Sequence, residues 1–174
     1  MDKDIIIRKV KPEDAVMWTD LGNKVWRIAY KDIFPEEVFL ANEARKPKRI
    51  ESFSRFIKND DGNIAYVAEY EGKVIALMNG KIKSGYEHFE DCADLEALYI
   101  DSEFQGKGIG TKLKDVFFNW AKENGATKVV IGVLKDNNKA RKVYEAWGGN
   151  LSSFENDFVR LGVPYPEVFY TYDI

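Results

Sequence analysis

An α+β fold built on a mixed, mostly antiparallel central sheet is predicted by three features of the sequence. Strand-like runs on either side of Glu71-Gly72 are close enough to form a hairpin, and a second such pair flanks Gly162 near the C-terminus. The run Ala93 to Ile100 is followed by an amphipathic helical stretch and then by the strand-like Lys128 to Leu134, a connection that makes a parallel pair. Lys128 to Leu134 is apolar on both alternations, as a strand covered on both faces must be, so helices are expected on both faces of the sheet.

The elements follow in order. Ile5 to Val10 is short and β-branched and predicts the first strand. Pro12-Glu13-Asp14 starts a helix, because proline and acids suit a helix N-terminus. Met17, Leu21, Val25 and Ile28 then follow helical spacing and predict its core face, with Trp18, Trp26 and Tyr30 adding bulk. Two further helices are expected from Pro35 to Ala44 and from Pro47 to Ile57. The second turns Phe53, Phe56 and Ile57 inward and leaves Lys46, Lys48, Arg49 and Arg55 on a solvated face. Asn59 to Asn63 is a turn cluster. Strands Ile64 to Tyr70 and Lys73 to Lys83 precede a polar loop over Ser84 to Asp91, and the strand Ala93 to Ile100 comes next. The helix Ile109 to Glu123 carries Ile109, Leu113, Val116, Phe117 and Trp120 on one face and stops at Asn124-Gly125. After Lys128 to Leu134, Asn137 starts a short helix whose Ala140, Val143, Tyr144 and Trp147 share a face, and Gly148-Gly149 ends it. Strands at Asn150 to Asp157 and Glu167 to Tyr172 flank a turn over Gly162 to Pro166. No linker, repeat or low-complexity segment interrupts the 174 residues, so a single domain over 1–174 is expected.

Composition narrows the function. Apolar residues at 45% and charged residues at 32% suit a soluble globular protein. A net charge of −3, with no basic stripe interleaved with aromatics, argues against a nucleic-acid partner. Cys92 is the single cysteine, which rules out a disulfide framework and suits a reducing cytoplasm. His88 is the single histidine, so a His/Cys zinc site and a Ser-His-Asp triad lack the residues they need, and no metal is expected. Met1-Asp2-Lys3-Asp4 lacks a signal-peptide core and no apolar run reaches spanning length, so no membrane partner is expected.

The chemistry gathers at Gln105-Gly106-Lys107-Gly108-Ile109-Gly110-Thr111, between the strand and the helix. Three glycines in five residues permit a tight turn and close approach of a ligand to the main chain. The amides that open the helix lack intrahelical acceptors, and the helix dipole favours an anion there, with Lys107 adding a full charge. The spacing does not match a Walker A loop, since no Gly-Lys-Ser/Thr occurs, nor the dinucleotide Gly-x-Gly-x-x-Gly. Gln105, Gly108 and Gly110 do fill Gln/Arg-x-x-Gly-x-Gly/Ala, and Leu98-Tyr99-Ile100 before it and Asn137-x-x-Ala140-x-x-x-Tyr144 after it follow in order. From about Asp94 to Gly149 the chain thereby resembles the GCN5-related N-acetyltransferase (GNAT) superfamily. Trp147-Gly148-Gly149 departs from it, standing where Gly-Phe is common.

The resemblance implies a sheet whose parallel pair splays apart to form a cleft for CoA, and acetyl transfer from acetyl-CoA to a primary amine of a small molecule or a protein. It assigns the pyrophosphate to the amides of Gln105, Gly106, Lys107, Gly108, Ile109 and Gly110 and to the Thr111 hydroxyl. It pairs the pantetheine with Leu98, Tyr99 and Ile100, and brings Asn137 and Ala140 to the same cofactor. An amide near Leu98 or Tyr99 would hold the oxyanion, and Tyr144 would give the departing thiolate a proton. Core packing is the plainer role for an aromatic in Tyr144's position. An ammonium acceptor with a pKa near ~10 needs a carboxylate to take its proton. Asp94 and Glu96 alternate on one strand face, and either acid could instead be a salt-bridge partner. The resemblance also places Trp18, Trp26 or Tyr30 on an acceptor-pocket wall. Glu87, Glu90, Asp91, Asp94 and Glu96 gather on the expected acceptor side, which predicts a cationic acceptor. Phe154, Phe158, Phe169 and Tyr170 supply material either for a homodimer interface or for the core. A non-catalytic acyl-CoA sensor on the same fold is the rival function, and Tyr144 with a nearby acid favours the enzyme.

Overall fold

The computed structural model describes residues 4–58 and 62–174, so the start Met1 to Lys3 and, of the turn cluster expected at Asn59 to Asn63, Asn59 to Asp61 lie outside the described residues. The strands are β1 (Ile6–Lys9), β2 (Asn63–Tyr70), β3 (Lys73–Lys81), β4 (Ala93–Ile100), β5 (Lys128–Leu134), β6 (Asn150–Arg160) and β7 (Val163–Asp173). The helices are α1 (Ala15–Tyr30), α2 (Glu36–Ala44), α3 (Lys46–Lys58), α4 (Ile109–Glu123) and α5 (Asn138–Ala146). The strands form one sheet in the order β1-β2-β3-β4-β5-β7-β6. β4 and β5 are parallel, whereas β1–β2, β5–β7 and β6–β7 are antiparallel. The mixed, mostly antiparallel α+β fold expected from the sequence is therefore present. Two compact units make up the chain: the described part of Met1–Gly80 with Ala97–Phe117, and Lys81–Glu96 with Phe118–Ile174.

In the first unit, Leu21, Val25, Val67, Val74 and Leu77 form a buried cluster, with Val10, Trp18, Ala97 and Tyr99 packed against it. β2 turns into β3 through Glu71 and Gly72, both at positive φ (53° and 76°), as a two-residue hairpin turn requires. The buried stripe of α1 also includes Thr19, Gly22 and Asn23. Thr19 bonds to the Ala15 carbonyl, while Asn23 donates to Glu43 and accepts from Arg49, so these polar groups are buried with partners. This stripe is rotated away from Met17 and Ile28, which are 37% and 47% exposed rather than on the core face. Arg49 is exposed, as expected, and Lys46 is half-buried; both also tie α3 to α1, at Asn23 and Asp20. Trp18 packs on Phe53 and Trp26 stacks on Phe34, so both rings serve helix packing.

In the second unit, Phe89, Cys92, Val130 and Phe169 are buried together, with Tyr86 and Phe154 against them. The parallel ladder joins Ala93 to Val129 and Asp94 to Val130, and is short beside the one that runs from Lys128↔Asp173 to Leu134↔Glu167. The last hairpin turns at Leu161-Gly162 (φ 48° and 79°), and β7 begins at Val163, not at Glu167 as the sequence suggested. Pro164 and Pro166 looked like turn residues but sit in register with Val159 and Asp157. Being two apart, both direct their missing N–H to one side, and the β5 ladder begins only at Glu167, so no sheet bond is lost. Phe169 and Tyr170 are wholly buried, and Phe158 lies under the Arg160 guanidinium. Val143 of α5 is exposed. Among the described residues no helix is long and apolar enough to cross a membrane.

One buried ion pair closes the start of the chain. Arg8 of β1 donates to Asp14 at 2.8 Å and to Glu69 of β2 at 2.8 Å, and Asp14 also accepts the Lys11 amide at 2.7 Å. The Arg8 hydrogen bond, against the push of burial, holds the Asp14 carboxyl below its usual range. A depressed folded value means that the stabilisation is complete above the unfolded carboxylate pKa of about 3.9 and disappears as pH falls through the folded value. Asp14→Asn is expected to cost about 1–3 kcal/mol at neutral pH. In urea titrations the gap from the parent should shrink steadily below about pH 4.

Candidate active site

The first unit builds the glycine loop on a buried carboxylate. β4 ends at Ile100, and the Asp101 amide then donates to the Ile75 carbonyl of β3 at 2.8 Å. The Asp101 side chain accepts from Lys24 of α1 at 2.8 Å and from the Glu103 amide at 3.3 Å, capping a 3-10 turn over Ser102–Phe104. Burial works against its charge, and the Lys24 and Glu103 bonds prevail, so the carboxyl lies below its usual range. Gln105 donates to the Ile100 carbonyl at 3.1 Å, which folds the loop back on the strand end. Gly106 and Gly108 adopt φ of +74° and +77°, and a Cβ built on either would meet nothing within 4 Å, so open space borders both. The Gly108 carbonyl accepts the Lys112 amide, which makes Gly108 the residue from which α4 starts. The amides of Ile109, Gly110 and Thr111 therefore belong to the first turn and have no intrahelical acceptor. Ile109 is buried and anchors the turn, whereas Gly106, Lys107, Gly108 and Thr111 are exposed. Lys107 holds its ammonium 4.8 Å from the centre of the Phe104 ring. Leu98, Tyr99 and Ile100 are half-buried. This is the arrangement an anion needs: oriented amides, a helix dipole and a nearby cation.

The second unit holds the acids. Asp94, 4% exposed, accepts the Ser84 hydroxyl at 2.9 Å. Burial pushes its carboxyl up to about 6; the Ser84 bond opposes this and the Glu96 charge adds to it. Glu96 is more exposed and pairs with Lys81 at 2.6 Å. Of the acids expected on an acceptor-side rim, Asp91 is tied to Lys128 at 3.2 Å, so the rim carries less free charge than its composition implies. Cys92 is buried, and burial pushes its thiol up to about 11, which leaves it a packing residue. Sequence reasoning missed three residues in this region. Glu167, 8% exposed, accepts the Tyr86 hydroxyl at 3.0 Å and the Asn156 amide at 3.2 Å. Tyr86 is set by its amide donating to Ser84 at 3.2 Å and by its ring meeting Phe169 edge-on. The third, Gly132 of β5, leaves room for Glu167, since a Cβ there would lie 2.8 Å from Glu167 Oε1. A lone acid before Val168-Phe169-Tyr170 and a lone glycine within a valine run were the available signals.

α5 is in the same unit. The Asn137 side chain accepts the Ala140 amide at 3.2 Å, so the expected cap is present. Tyr144 is half-buried, its ring 5.6 Å from Trp147 and 6.0 Å from Tyr170. Its carbonyl accepts both the Gly149 amide at 3.0 Å and the Tyr172 hydroxyl at 2.8 Å. Tyr170 accepts from Arg141 at 3.1 Å and donates to Glu145 at 2.7 Å, so two β7 hydroxyls fix the helix on either side of Tyr144. Gly149 is what the departure at Trp147-Gly148-Gly149 makes room for. A Cβ there would sit 2.7 Å from the Tyr172 hydroxyl and 2.8 Å from the Tyr144 carbonyl. Gly149→Ala is thus expected to cost about 1–3 kcal/mol, a drop in Tm of about 2–4 °C per kcal/mol in a thermal melt.

Comparison with known proteins identifies the family and a shared fold. The model of the Acetyltransferase (GNAT) family matches residues 25–148. An N-acetylaspartate synthetase of Xenopus tropicalis is 28% identical over 94 residues, covering 54% of this chain. The chain spans only 33% of that relative's length. An uncharacterized N-acetyltransferase of Methanocaldococcus jannaschii is 28% identical over 148 residues, 83% of this chain and 77% of that protein. Among solved structures, a PaiA N-acetyltransferase from Thermoplasma acidophilum, crystallised with coenzyme A, superposes with a TM-score of 0.75 at 21% identity, covering 98% of this chain and 99% of its own. The chain belongs to the Acetyltransferase (GNAT) family.

Proposed function

We propose that the protein transfers an acetyl group from acetyl-CoA to a primary amine of a small molecule or of a protein. The observation that carries this is the turn at Gly106 and Gly108, whose positive φ and open flank present the first amides of α4. Gln105, Gly106, Lys107, Gly108, Ile109, Gly110 and Thr111 hold the pyrophosphate. The short β4–β5 ladder supports pairing of the pantetheine with Leu98, Tyr99 and Ile100, and Asn137 and Ala140 complete the cofactor contacts. The amine nitrogen attacks the thioester carbonyl, and a main-chain N–H near Leu98 or Tyr99 stabilises the oxyanion. The C–S bond then breaks, and Tyr144 gives its proton to the thiolate. Asp94 and Glu96 supply the negative potential that draws in an ammonium, and a carboxylate, directly or through one intervening group, takes its proton before attack. The acceptor is cationic in this scheme, and the compartment is the cytoplasm.

Release of CoA from acetyl-CoA across polyamines, aminoglycosides, amino acids and peptide N-termini tests the proposal; binding without release for every amine would mark a sensor instead. Gly108→Asp and Gly108→Asn separate charge from shape, because both residues tolerate the left-handed conformation better than other side chains. The aspartate variant is expected to bind acetyl-CoA at least about tenfold more weakly than the asparagine variant, as a full charge beside a phosphate demands. Equal affinities would remove the pyrophosphate from this loop.

Tyr144→Phe keeps the ring contacts and removes the donor. Turnover is expected to fall by about 10²–10⁴-fold with acetyl-CoA affinity within a few-fold of the parent. Unchanged turnover, with chemistry shown to limit the rate, would exclude Tyr144 as the proton donor.

A further inference from the structure

Glu167 is a carboxylate buried in a strand that otherwise runs through Val168, Phe169 and Tyr170, all buried. Such a group is retained at the expense of its hydration, and the surrounding chain has been shaped to keep it. β5 carries no side chain at Gly132, opposite Glu167 Oε1. Two donors, the Tyr86 hydroxyl and the Asn156 amide, converge on Oε2. Tyr86 is the more exposed member of the pair and comes from the loop that Ser84 ties to Asp94. Its one hydroxyl proton points to Glu167, so its lone pairs are left to accept from another donor. The β4 acids are occupied differently: Glu96 faces the Lys81 ammonium and Asp94 lies deeper, receiving Ser84. The charged groups felt at the Tyr86 hydroxyl are Glu167 from β7 and Asp94 and Glu96 from β4, and Lys81 of β3 joins the same field through Glu96 and Asp94.

We propose that Tyr86 and Glu167 form a proton relay that relieves the acceptor amine of its ammonium proton, a role that rests on the acetyl-transfer reading above. The ammonium N–H donates to Tyr86 Oη, and its proton moves onto that oxygen as the hydroxyl's own proton passes to Glu167 Oε2. The amine keeps the bonding pair and becomes the nucleophile. Tyr86 ends as a neutral phenol and Glu167 as a neutral acid that loses the proton to solvent between turnovers. Burial and the Glu167 charge both push the Tyr86 hydroxyl upward, so a free phenolate is disfavoured and the two transfers occur together. Asp94 and Glu96 act on the ammonium through their field.

The test compares the parent with Tyr86→Phe, Glu167→Gln, Asp94→Asn and Glu96→Gln, each in the full chain and each checked for acetyl-CoA affinity. Two acceptors are used at neutral pH: the parent's best alkyl ammonium, and methoxyamine, whose far more acidic conjugate acid leaves it already neutral, with no ammonium proton to remove. For Tyr86→Phe and Glu167→Gln, kcat with the alkyl ammonium should fall about 10²–10⁴-fold, recovering as pH approaches the amine's own pKa. With methoxyamine both should stay within about threefold of the parent, which is not the pattern of a structural defect. A matching loss with both acceptors overturns the relay. So does an ammonium-selective loss confined to Asp94→Asn or Glu96→Gln, which would leave acetyl transfer standing with a β4 acid as the base. If the parent releases CoA with no amine, the acetyl-transfer reading itself fails.

Discussion

The candidate cofactor loop depends on one buried carboxylate. Asp101 follows the last residue of β4, and it is bound from three directions: by β3 through its amide, by α1 through Lys24 and by its own 3-10 turn. A loop with two residues at positive φ and open space on its flank has little packing of its own to define it. Its position is inherited from the segment before it and from buried Ile109 after it. The charge on Asp101 survives burial because Lys24 and the Glu103 amide replace the water it gives up. Binding residues can then stay exposed without being loosely placed.

The second unit meets the same requirement differently, by omitting side chains. Gly132 makes room for the Glu167 carboxylate, and Gly149 makes room for the Tyr172 hydroxyl and the Tyr144 carbonyl. Neither glycine is at positive φ, so neither is required by the local backbone. Each is required by a polar contact from a neighbouring strand or helix. This separates them from Gly106 and Gly108, where the backbone conformation itself calls for glycine.

That separation also marks what the sequence reveals. β4, α4 and β5 are legible to the residue, because a strand, a glycine turn and a 3.6-residue period each leave a local pattern. The Asn137 cap is legible for the same reason. Met17 and Ile28 mislead, because hydrophobicity alone cannot show that α1 turns Thr19 and Asn23 inward to meet partners on other segments. The two prolines of β7 mislead because their tolerance depends on where the β5 ladder begins, a matter of register. Glu167, Tyr86 and Gly132 lie far apart in sequence; the pairing of β7 with β5 brings Gly132 to Glu167, and the loop after β3 brings Tyr86. Tyr144 is legible from a motif and Asp94 and Glu96 from strand alternation; the contacts around them, with Ser84, Lys81 and Tyr170, come from segments distant in sequence.

Three tyrosines show how much a hydroxyl's role depends on what stands behind it. Burial raises the hydroxyl pKa of Tyr86, Tyr170 and Tyr172 alike, so each keeps its proton at neutral pH. Tyr172 gives that proton to a main-chain carbonyl, a partner that cannot take it away, and so acts as a fixed strut for α5. Tyr170 accepts from Arg141 and donates to Glu145, and the guanidinium offsets the carboxylate, leaving a neutral link between two helix side chains. Tyr86 alone of the three donates to a carboxylate buried in a strand and has no cation hydrogen-bonded to its own oxygen among these contacts. A proton arriving at that oxygen has a basic site one hydrogen bond away; Tyr172 has none, and at Tyr170 the Arg141 N–H already occupies the oxygen that would receive it. The same side chain, buried for the same energetic reason, is a brace at two positions and a route for a proton at the third.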